Sequence, residues 1–359
     1  MNILFGITTI ENGGAENFLV PFICSLADDG HKVTVYYIQG EPTHQAKLED
    51  AGVEIWHPSD SSPKTKNPLK FISSLIGFQK RIRLRHFDLS IANLQPIELI
   101  FSLSSLRYRS KQIISVRHND EFFFARKYLG WIYRLTFKKY IAISSRVKNS
   151  LIMDKIAVEN IDVCYYGIPQ LDIEYFSQSQ SQSQSQSQFQ FNYHVVVARH
   201  EPQKNLFFLL HAFKNYIECC EPYMAKILVF LGTGSETLDL MNEVSRIGLG
   251  GYVLFAGKIQ DPLPIIASAD SLVLSSHYEG LGLVLLEAQS VKTPVIAPDI
   301  APCNEVVCAN SGILYAPGEK NSLSAALGEV YKIDRNNVAL SSEFMIDKSY
   351  DIWRKALCL

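Results

Sequence analysis

Two glutamates with seven residues between them flank a segment made mostly of glycine and apolar residues. Glu279 and Glu287 are the two ends of this segment, and Gly280 and Gly282 lie between them. Glycine lets a backbone approach a ligand closely, and the free N–H groups of a helix start bind anions such as phosphate. Carboxylates accept hydrogen bonds from hydroxyl groups. The segment therefore predicts a site for an anionic ligand that is rich in hydroxyl groups.

Two cationic residues and a second glycine turn extend this chemistry. Arg199 and Lys204 follow an apolar run that is typical of a buried strand, and Gly232 and Gly234 follow another. Cations placed just after a strand can converge on a diphosphate and neutralise the charge that builds on a leaving group. The alternative interpretation is an exposed pair of cations with nothing to bind.

The elements that must position these residues alternate between short apolar runs and helical patterns. Such runs predict buried parallel strands. In the first half they lie at 2–7, 32–37, 89–92, 112–116 and 140–143. In the second half they lie at 193–198, 227–231, 253–256, 271–274 and 295–297, and a helix is predicted over 283–290. The fold class is therefore α/β, with ligand expected at the carboxyl ends of the strands.

The chain is long enough for two domains. It has 359 residues, of which 47% are hydrophobic, and domains run on the order of 100 to 200 residues. A run of Ser-Gln pairs at 177–188 cannot bury apolar surface, which predicts a linker. We expect a first domain over 1–168, a second domain over 189–340, and a C-terminal segment over 341–359.

Composition also narrows the location and partners. Seven cysteines without a C-x2-C spacing favour neither a disulfide framework nor a zinc site. No apolar run approaches the roughly 18 residues of a membrane span, and a basic leader is missing, so a cytoplasmic protein is expected.

Charge is unevenly distributed along the chain. Residues 1–168 hold 21 Lys and Arg against 16 Asp and Glu, while the remainder holds 13 against 20. Aromatic and basic residues interleave over 122–139, a pattern that fits peripheral contact with the anionic cytoplasmic face of the inner membrane. The alternative is that these aromatic residues belong to the core. Signature motifs of nucleic-acid binding are missing, so no nucleic-acid partner is expected.

The pattern as a whole resembles the retaining glycosyltransferases of the GT-B fold, family 4 (glycosyl transferases group 1). The resemblance rests on the two spaced glutamates, on Arg199 followed by Lys204, and on three further segments in the family's order. These segments are the glycine turn at 232–234, the strand that leads to Gly257-Lys258, and the loop Gly13-Gly14-Ala15-Glu16. The family's fold is two Rossmann-like β/α/β domains facing across a cleft. The resemblance implies that the N-terminal domain, 1–168, binds the acceptor, that the C-terminal domain, 189–340, binds the nucleotide sugar, and that a last helix within 341–359 returns to the first domain.

The resemblance implies roles for individual residues. His118 and Glu279 would be catalytic: His118 would touch the donor sugar, and Glu279 would bind its hydroxyls and stabilise charge rather than attack covalently. Glu287 would bind the ribose hydroxyls. The other donor-binding residues would be Arg199, Lys204, Gly232, Gly234, Lys258, Gly280, Leu281, Gly282 and Leu283. The loop residues Gly13, Gly14 and Glu16, together with Arg117, would form an acceptor or phosphate loop.

The implied reaction is transfer of a hexose or N-acetylhexosamine from a nucleotide diphosphate sugar. A UDP-sugar is favoured as donor, and the acceptor would be a glycan or lipid-linked glycan in bacterial surface polysaccharide synthesis (capsule, O-antigen or lipopolysaccharide). No Asp-x-Asp segment is found, so no metal and no cofactor is expected, with Arg199 and Lys204 supplying the positive charge.

Three alternatives remain at this point. A nucleotide-sugar epimerase of similar fold would need a different acid and base set. A catalytically inactive, nucleotide-binding GT-B scaffold would bind ligand without turnover. A dinucleotide-dependent dehydrogenase fits least, because Gly232-Thr-Gly234 lacks the third glycine of that fingerprint. Departures from the family pattern at Asn93 and Tyr166 fall on acceptor-side or hinge segments and leave the acceptor open.

Overall fold

The computed structural model describes residues 1–11, 13–57, 68–83, 85–94, 96–104, 109–118, 131–169, 171, 192–219 and 226–359. These residues form two compact units. The first unit comprises Met1–Gly167 and Ser349–Leu359, and the second unit comprises Ile168–Lys348. The Ser-Gln tract at 177–188 and residues 122–130 of the basic aromatic segment lie outside the described residues.

The first unit is built on a parallel seven-stranded sheet in the order β3-β2-β1-β4-β5-β6-β7. The strands are β1 Asn2–Ile7, β2 Lys32–Tyr37, β3 Glu54–Trp56, β4 His86–Asn93, β5 Arg109–Arg117, β6 Lys139–Ala142 and β7 Ile161–Val163. Its helices are Gly14–Asp28, Gln45–Asp50, Pro68–Ile82, Ile97–Ser104, 131–136 and Ser145–Met153, joined by the larger part of Ile346–Leu357.

The second unit repeats the plan with a parallel six-stranded sheet in the order β10-β9-β8-β11-β12-β13. The strands are β8 Tyr193–Val197, β9 Ile227–Leu231, β10 Val253–Gly257, β11 Ser271–Val273, β12 Val295–Pro298 and β13 Gly312–Tyr315. The helices are Leu206–Cys219, Thr237–Arg246, Leu263–Ser268, Leu283–Ser290, Cys303–Val306 and Lys320–Glu329. Short 3-10 turns include Pro202–Lys204.

Both sheets are of the Rossmann type, as the sequence predicts. The central strands are buried along almost their whole length, as in β1 and β2, where only the first residue is exposed. Burial of both faces is what parallel sheets covered by helices require. The strand order places the carboxyl ends of β8 and β11 side by side, because these two strands are direct neighbours.

Three strands were not predicted, namely β3, β7 and β13. β3 and β7 have three residues each and lie at the edges of the first sheet. β13 contains only four residues and begins with Gly312. β3 and β7 each contain an acidic residue, Glu54 and Asp162, which interrupts the apolar run that predicts a strand. Glycine, with which β13 begins, is uncommon in strands. The helix predicted over 283–290 has the predicted bounds.

Among the described residues, the helices are all too short or too polar to cross a membrane.

Candidate functional site

The turn after β8 is tied to the loop after β11 by three hydrogen bonds. The Ser275 hydroxyl donates to the Lys204 carbonyl at 2.8 Å, and the His277 N–H donates to the Gln203 carbonyl at 2.9 Å. The Gln203 side-chain amide donates to the Tyr278 carbonyl, also at 2.9 Å. Asn205 closes the turn in the left-handed conformation, with φ of 52°. Two segments predicted separately from the sequence are thus fastened together.

Within this junction, Lys204 and Glu279 form an ion pair. The Lys204 ammonium Nζ lies 2.6 Å from the Glu279 carboxylate Oε1, and the Ser276 hydroxyl donates to the same oxygen at 2.6 Å. The side chains are only 17% and 11% exposed, respectively. A charged hydrogen bond in such a partly dry place is stronger than one in water. The structure therefore brings together a residue predicted to bind the diphosphate, Lys204, and a residue predicted to bind the sugar, Glu279.

The helix Leu283–Ser290 starts at this loop without a side-chain cap. Gly282 occupies the N-cap position in the left-handed conformation, with φ of 80°, and as a glycine it supplies no side-chain cap to the first turn. Leu281 is buried, whereas Gly280 and Leu283 are half-buried. Uncapped N–H groups at a helix start favour an anionic ligand, through both hydrogen bonds and the helix dipole.

Glu287 lies one turn further along this helix and is half-buried. Burial raises the pKa of Glu287 to about 7, and repulsion from the Asp261 carboxylate adds to the increase. Among the described residues, its carboxylate has no hydrogen-bond or ion-pair partner. A partly dry carboxylate without a partner is poised to accept hydrogen bonds from hydroxyl groups of a ligand.

The glycine turn after β9 is required by close backbone approach. Gly232 has φ of 130°, and a Cβ atom there would overlap the Ala198 carbonyl oxygen. A Cβ atom at Gly234 would overlap the His200 carbonyl. Both glycines therefore have a packing role next to the segment that carries Arg199, which is exposed. Lys258, after β10, is exposed as well.

Sequence reasoning missed His200, which holds the glycine turn in place. Its Nδ1 lies 2.9 Å from the Thr237 hydroxyl oxygen, which also accepts a hydrogen bond from the Gly234 N–H. The ring meets Phe230 and Phe255 edge-on. Burial lowers the pKa of His200, which favours the neutral ring. The sequence gives no signal for this role of His200, because its partner Thr237 lies 37 residues further along the chain, at the start of the helix Thr237–Arg246.

In the first unit, the glycine loop leads into the helix Gly14–Asp28. Gly13 is its N-cap in extended conformation, and the Asn17 N–H donates to the Gly13 carbonyl at 2.8 Å. A Cβ atom on Gly13 would overlap the Glu16 carboxylate. Glu16 thus lies in the first turn of this helix and folds back over the N-cap, where the positive end of the helix dipole favours a negative charge.

Arg117, for which the sequence predicts contact with a phosphate, lies in a buried ion pair. It is 6% exposed, and its guanidinium pairs with the fully buried carboxylate of Glu98 at 2.5 Å. The Ser115 hydroxyl donates to the same carboxylate oxygen, and the guanidinium lies 5.9 Å from the Tyr133 ring centre. Removing either charge would leave the other buried without a counter-charge. The pair therefore stabilises the packing of β5 against the helix Ile97–Ser104.

His118 follows β5 directly and is half-buried. Its Nε2 lies 2.7 Å from the Tyr166 hydroxyl oxygen, and the two rings meet edge-on with centres 5.4 Å apart. Burial lowers the pKa of His118 to about 3. The imidazole is therefore neutral at physiological pH. It can donate and accept hydrogen bonds but does not carry a positive charge.

Two family models match the chain in tandem. Residues 12–170 match "Glycosyltransferase Family 4", and residues 178–343 match "Glycosyl transferases group 1". The chain is 32% identical over 136 residues to O-antigen chain mannosyltransferase B of Escherichia coli, which covers 37% of the chain and 35% of that protein. It is 24% identical over 271 residues to an uncharacterized glycosyltransferase of Methanocaldococcus jannaschii, covering 70% and 66%. The chain thus matches between about a third and two thirds of these relatives' own length.

Solved structures share the fold over the whole chain. HepE of Anabaena in complex with UDP and glucose has a TM-score of 0.78 at 20% identity, covering 100% of this chain and 99% of that one. The lipopolysaccharide outer core galactosyltransferase WaaB has a TM-score of 0.72 at 16% identity, with the same coverage. At these identities the likeness establishes the GT-B architecture of two Rossmann-like domains.

Proposed function

This chain belongs to the glycosyl transferases of group 1, with two Rossmann-like domains of the GT-B type, and from that premise we propose that it transfers a sugar from a nucleotide diphosphate sugar to a glycan. The observation that carries the proposal is the junction of β8 and β11. There a lysine, a glutamate and an uncapped helix start lie within one set of loops. Together they supply a positive charge, a carboxylate that accepts hydrogen bonds from hydroxyl groups, and backbone N–H donors.

Each part of the junction has a task in this reaction. Lys204 and the exposed Arg199 would bind the diphosphate and offset the charge on the departing nucleotide. Glu287 would accept hydrogen bonds from the ribose, because no described residue occupies its carboxylate. Glu279 would accept hydrogen bonds from the sugar hydroxyls, so that Lys204 bridges the sugar-binding carboxylate and the phosphate. No metal and no other cofactor is needed in this scheme.

The chemistry we propose retains the configuration of the transferred sugar. Glu279 is already bound by Lys204 and Ser276, which lowers its reactivity as a nucleophile and leaves it as a hydrogen-bond acceptor for the sugar hydroxyls. Transfer would take place on one face of the sugar, with the departing phosphate accepting the acceptor's proton. NMR of the product anomer tests this point, and an inverted linkage would refute it.

A UDP-sugar carrying a hexose or N-acetylhexosamine is the proposed donor. Support comes from HepE of Anabaena, solved with UDP and with UDP-glucose. Relatives named for lipopolysaccharide core biosynthesis and O-antigen mannosyl transfer support an acceptor in bacterial surface polysaccharide. GDP-sugars are included in the test below because one of these relatives is a mannosyltransferase.

The experiment is calorimetric titration of UDP, GDP and their sugars into the wild type, Arg199→Ala and Glu287→Ala. Matched controls are Arg246→Ala and Glu329→Ala, which remove exposed members of local ion pairs in the same unit. Binding of one nucleotide class that both site variants lose and both controls keep supports the proposal. Binding without transfer indicates an inactive scaffold, and isomerisation of the donor without transfer indicates an epimerase.

Peripheral contact with an anionic membrane is a further part of the proposal. Trp131 and Leu135 lie one turn apart on the helical residues 131–136 and are 56% and 69% exposed. Arg134 donates to the Asp154 carbonyl at 3.4 Å, which places this segment beside Met153, itself 84% exposed. Exposed apolar side chains among basic ones fit the interface of an anionic bilayer.

Vesicle sedimentation tests the membrane contact. We expect binding to vesicles of phosphatidylglycerol and phosphatidylethanolamine, weaker binding to phosphatidylcholine alone, and loss of binding in Leu135→Asp. Leu238→Asp is the matched control, because Leu238 is 74% exposed in the second unit. Equal binding by both variants would contradict the assignment of this surface.

A further inference from the structure

Tyr166 makes a polar contact that the proposed reaction leaves unused. Its hydroxyl oxygen lies 2.7 Å from His118 Nε2 and 3.5 Å from Nδ1, so Nε2 is the hydrogen-bonding nitrogen. Tyr166 follows β7, 48 residues further along the chain.

The hydroxyl of Tyr166 is the donor in this hydrogen bond. The residue is fully buried, and burial raises the pKa of the phenol well above its usual value, with the Glu16 carboxylate adding to the increase. The phenol therefore stays protonated and its proton needs an acceptor. Among the described residues, His118 is the only side chain within hydrogen-bond distance of that hydroxyl. Since Nε2 accepts, the single proton of the neutral ring is on Nδ1.

The C-terminal helix fixes Tyr166 in place. The Tyr166 ring stacks on Trp353, with centres 5.5 Å apart and planes 17° apart, and it lies 4.6 Å from the ring centre of Phe18. The neighbouring Tyr165 carbonyl accepts hydrogen bonds from the Ser349 hydroxyl at 2.7 Å and from the Trp353 indole at 3.0 Å. Both the ring and the adjacent peptide are thus held, which leaves the hydroxyl little freedom to turn away from His118.

We propose that Tyr166 is a positioning residue that holds His118 in one tautomer, with Nε2 occupied and Nδ1–H as the ring's single donor for a sugar hydroxyl. The proposal rests on the proposed function together with the role that the sequence resemblance implies for His118, namely contact with the transferred sugar. A ring held in the other tautomer would present an acceptor where a donor is needed. The returning helix then contributes to the reaction indirectly, because Trp353 orients Tyr166 and Tyr166 orients His118.

The test compares Tyr166→Phe with Tyr36→Phe. Tyr166→Phe removes the hydroxyl and keeps the stacked ring. Tyr36→Phe makes the same change at another buried tyrosine of the same unit, whose hydroxyl donates to the Ser74 carbonyl at 3.0 Å. A purely structural role predicts similar effects of the two variants. A positioning role predicts that only Tyr166→Phe alters the state of the His118 ring.

The first readout is the nitrogen NMR spectrum of protein labelled with 15N-histidine, with the His118 signal assigned by its loss in His118→Gln. In the wild type we expect a protonated Nδ1 and an unprotonated Nε2. In Tyr166→Phe we expect a mixture of tautomers, and in Tyr36→Phe the wild-type pattern. A protonated Nε2 in the wild type overturns the proposal, and so does an unchanged pattern in Tyr166→Phe. The wild-type measurement stands even if the variant fails to fold.

The second readout is kinetic. Loss of one well-placed hydrogen bond predicts a fall in kcat of roughly tenfold in Tyr166→Phe, with the KM for the donor unchanged. Tyr36→Phe should keep the wild-type kcat. An equal kcat in Tyr166→Phe and wild type overturns the positioning role. If the wild type transfers no sugar, the proposed function fails, while the NMR readout still decides whether Tyr166 sets the tautomer.

Discussion

Lys204 Nζ lies 2.6 Å from Glu279 Oε1, although the two residues are 75 positions apart in the chain. The pair joins the turn after β8 to the loop after β11. Because both side chains are largely buried, each compensates the other's charge in the absence of any ligand. The pair therefore has a structural contribution that can be measured separately from its role in binding.

Lys204→Met is expected to lower the free energy of unfolding by about 3 kcal/mol, because it leaves the Glu279 charge with only the Ser276 hydroxyl. The double variant Lys204→Met/Glu279→Gln should recover most of that loss. Urea denaturation measures both. Lys332→Met, which breaks an exposed pair with Glu329, should change stability by less than about 1 kcal/mol. A Lys204→Met protein as stable as this control would contradict the prediction.

Glu287→Gln is expected to stabilise the protein without ligand more at high pH than at low pH. Burial raises the pKa of the folded carboxyl from an ordinary 4.5 to about 7. Protonation of Glu287 therefore stabilises the wild type fully below pH 4.5, and this stabilisation is lost as the pH rises through 7. The free energy of unfolding of the variant, relative to that of the wild type, should increase by roughly 2 kcal/mol between pH 5 and pH 8.5.

Urea denaturation of both proteins at the two pH values checks this. Glu329→Gln, at an exposed position, should differ from wild type by the same amount at both. A Glu287→Gln effect that is independent of pH would show that the carboxyl is not held in a dry place. The same variant should also bind nucleotide more weakly, because the amide has one neutral acceptor oxygen in place of the two oxygens of a carboxylate.

Gly232→Ala is expected to destabilise the second unit by at least about 2 kcal/mol. The backbone there has φ of 130°, and the added methyl group would overlap the Ala198 carbonyl. Gly250→Ala is the control, because a Cβ atom there has no atom within 4 Å. Thermal unfolding with and without nucleotide measures both stability and binding. Equal melting temperatures for the two variants would mean that the turn relaxes freely.

Trp353→Ala is expected to lower the stability of the first unit by roughly 3 to 5 kcal/mol, because the side chain is fully buried against Tyr166, Phe18 and Phe22. Trp131→Ala removes a tryptophan that is 56% exposed, so it should cost less than about 1 kcal/mol. Hydrogen exchange resolves the two units, and the amides of β8 and β9 should keep their protection. Loss of protection there would show that the two units unfold as one.

Local patterns in the sequence were sufficient for the architecture. Strands β1, β2 and β9 have the predicted bounds, and so does the helix Leu283–Ser290. Apolar runs ended by glycine and proline define such elements without knowledge of their partners. Strands β3 and β7 escaped prediction because an acidic residue interrupts each apolar run, and β13 escaped it because the strand begins with glycine. The acids, cations and glycines of the second unit could be named because their types and spacing carry chemistry.

What the sequence by itself determined is the set of chemical groups and the elements that carry them. Only the tertiary structure decided which groups meet. It pairs Lys204 with Glu279 and Arg117 with Glu98. It also places the Tyr166 hydroxyl within hydrogen-bond distance of His118 and stacks the Tyr166 ring on Trp353. The physical reason is that periodicity and turn chemistry act over a few residues, whereas an ion pair or a stacked ring depends on strand order and on packing between distant segments.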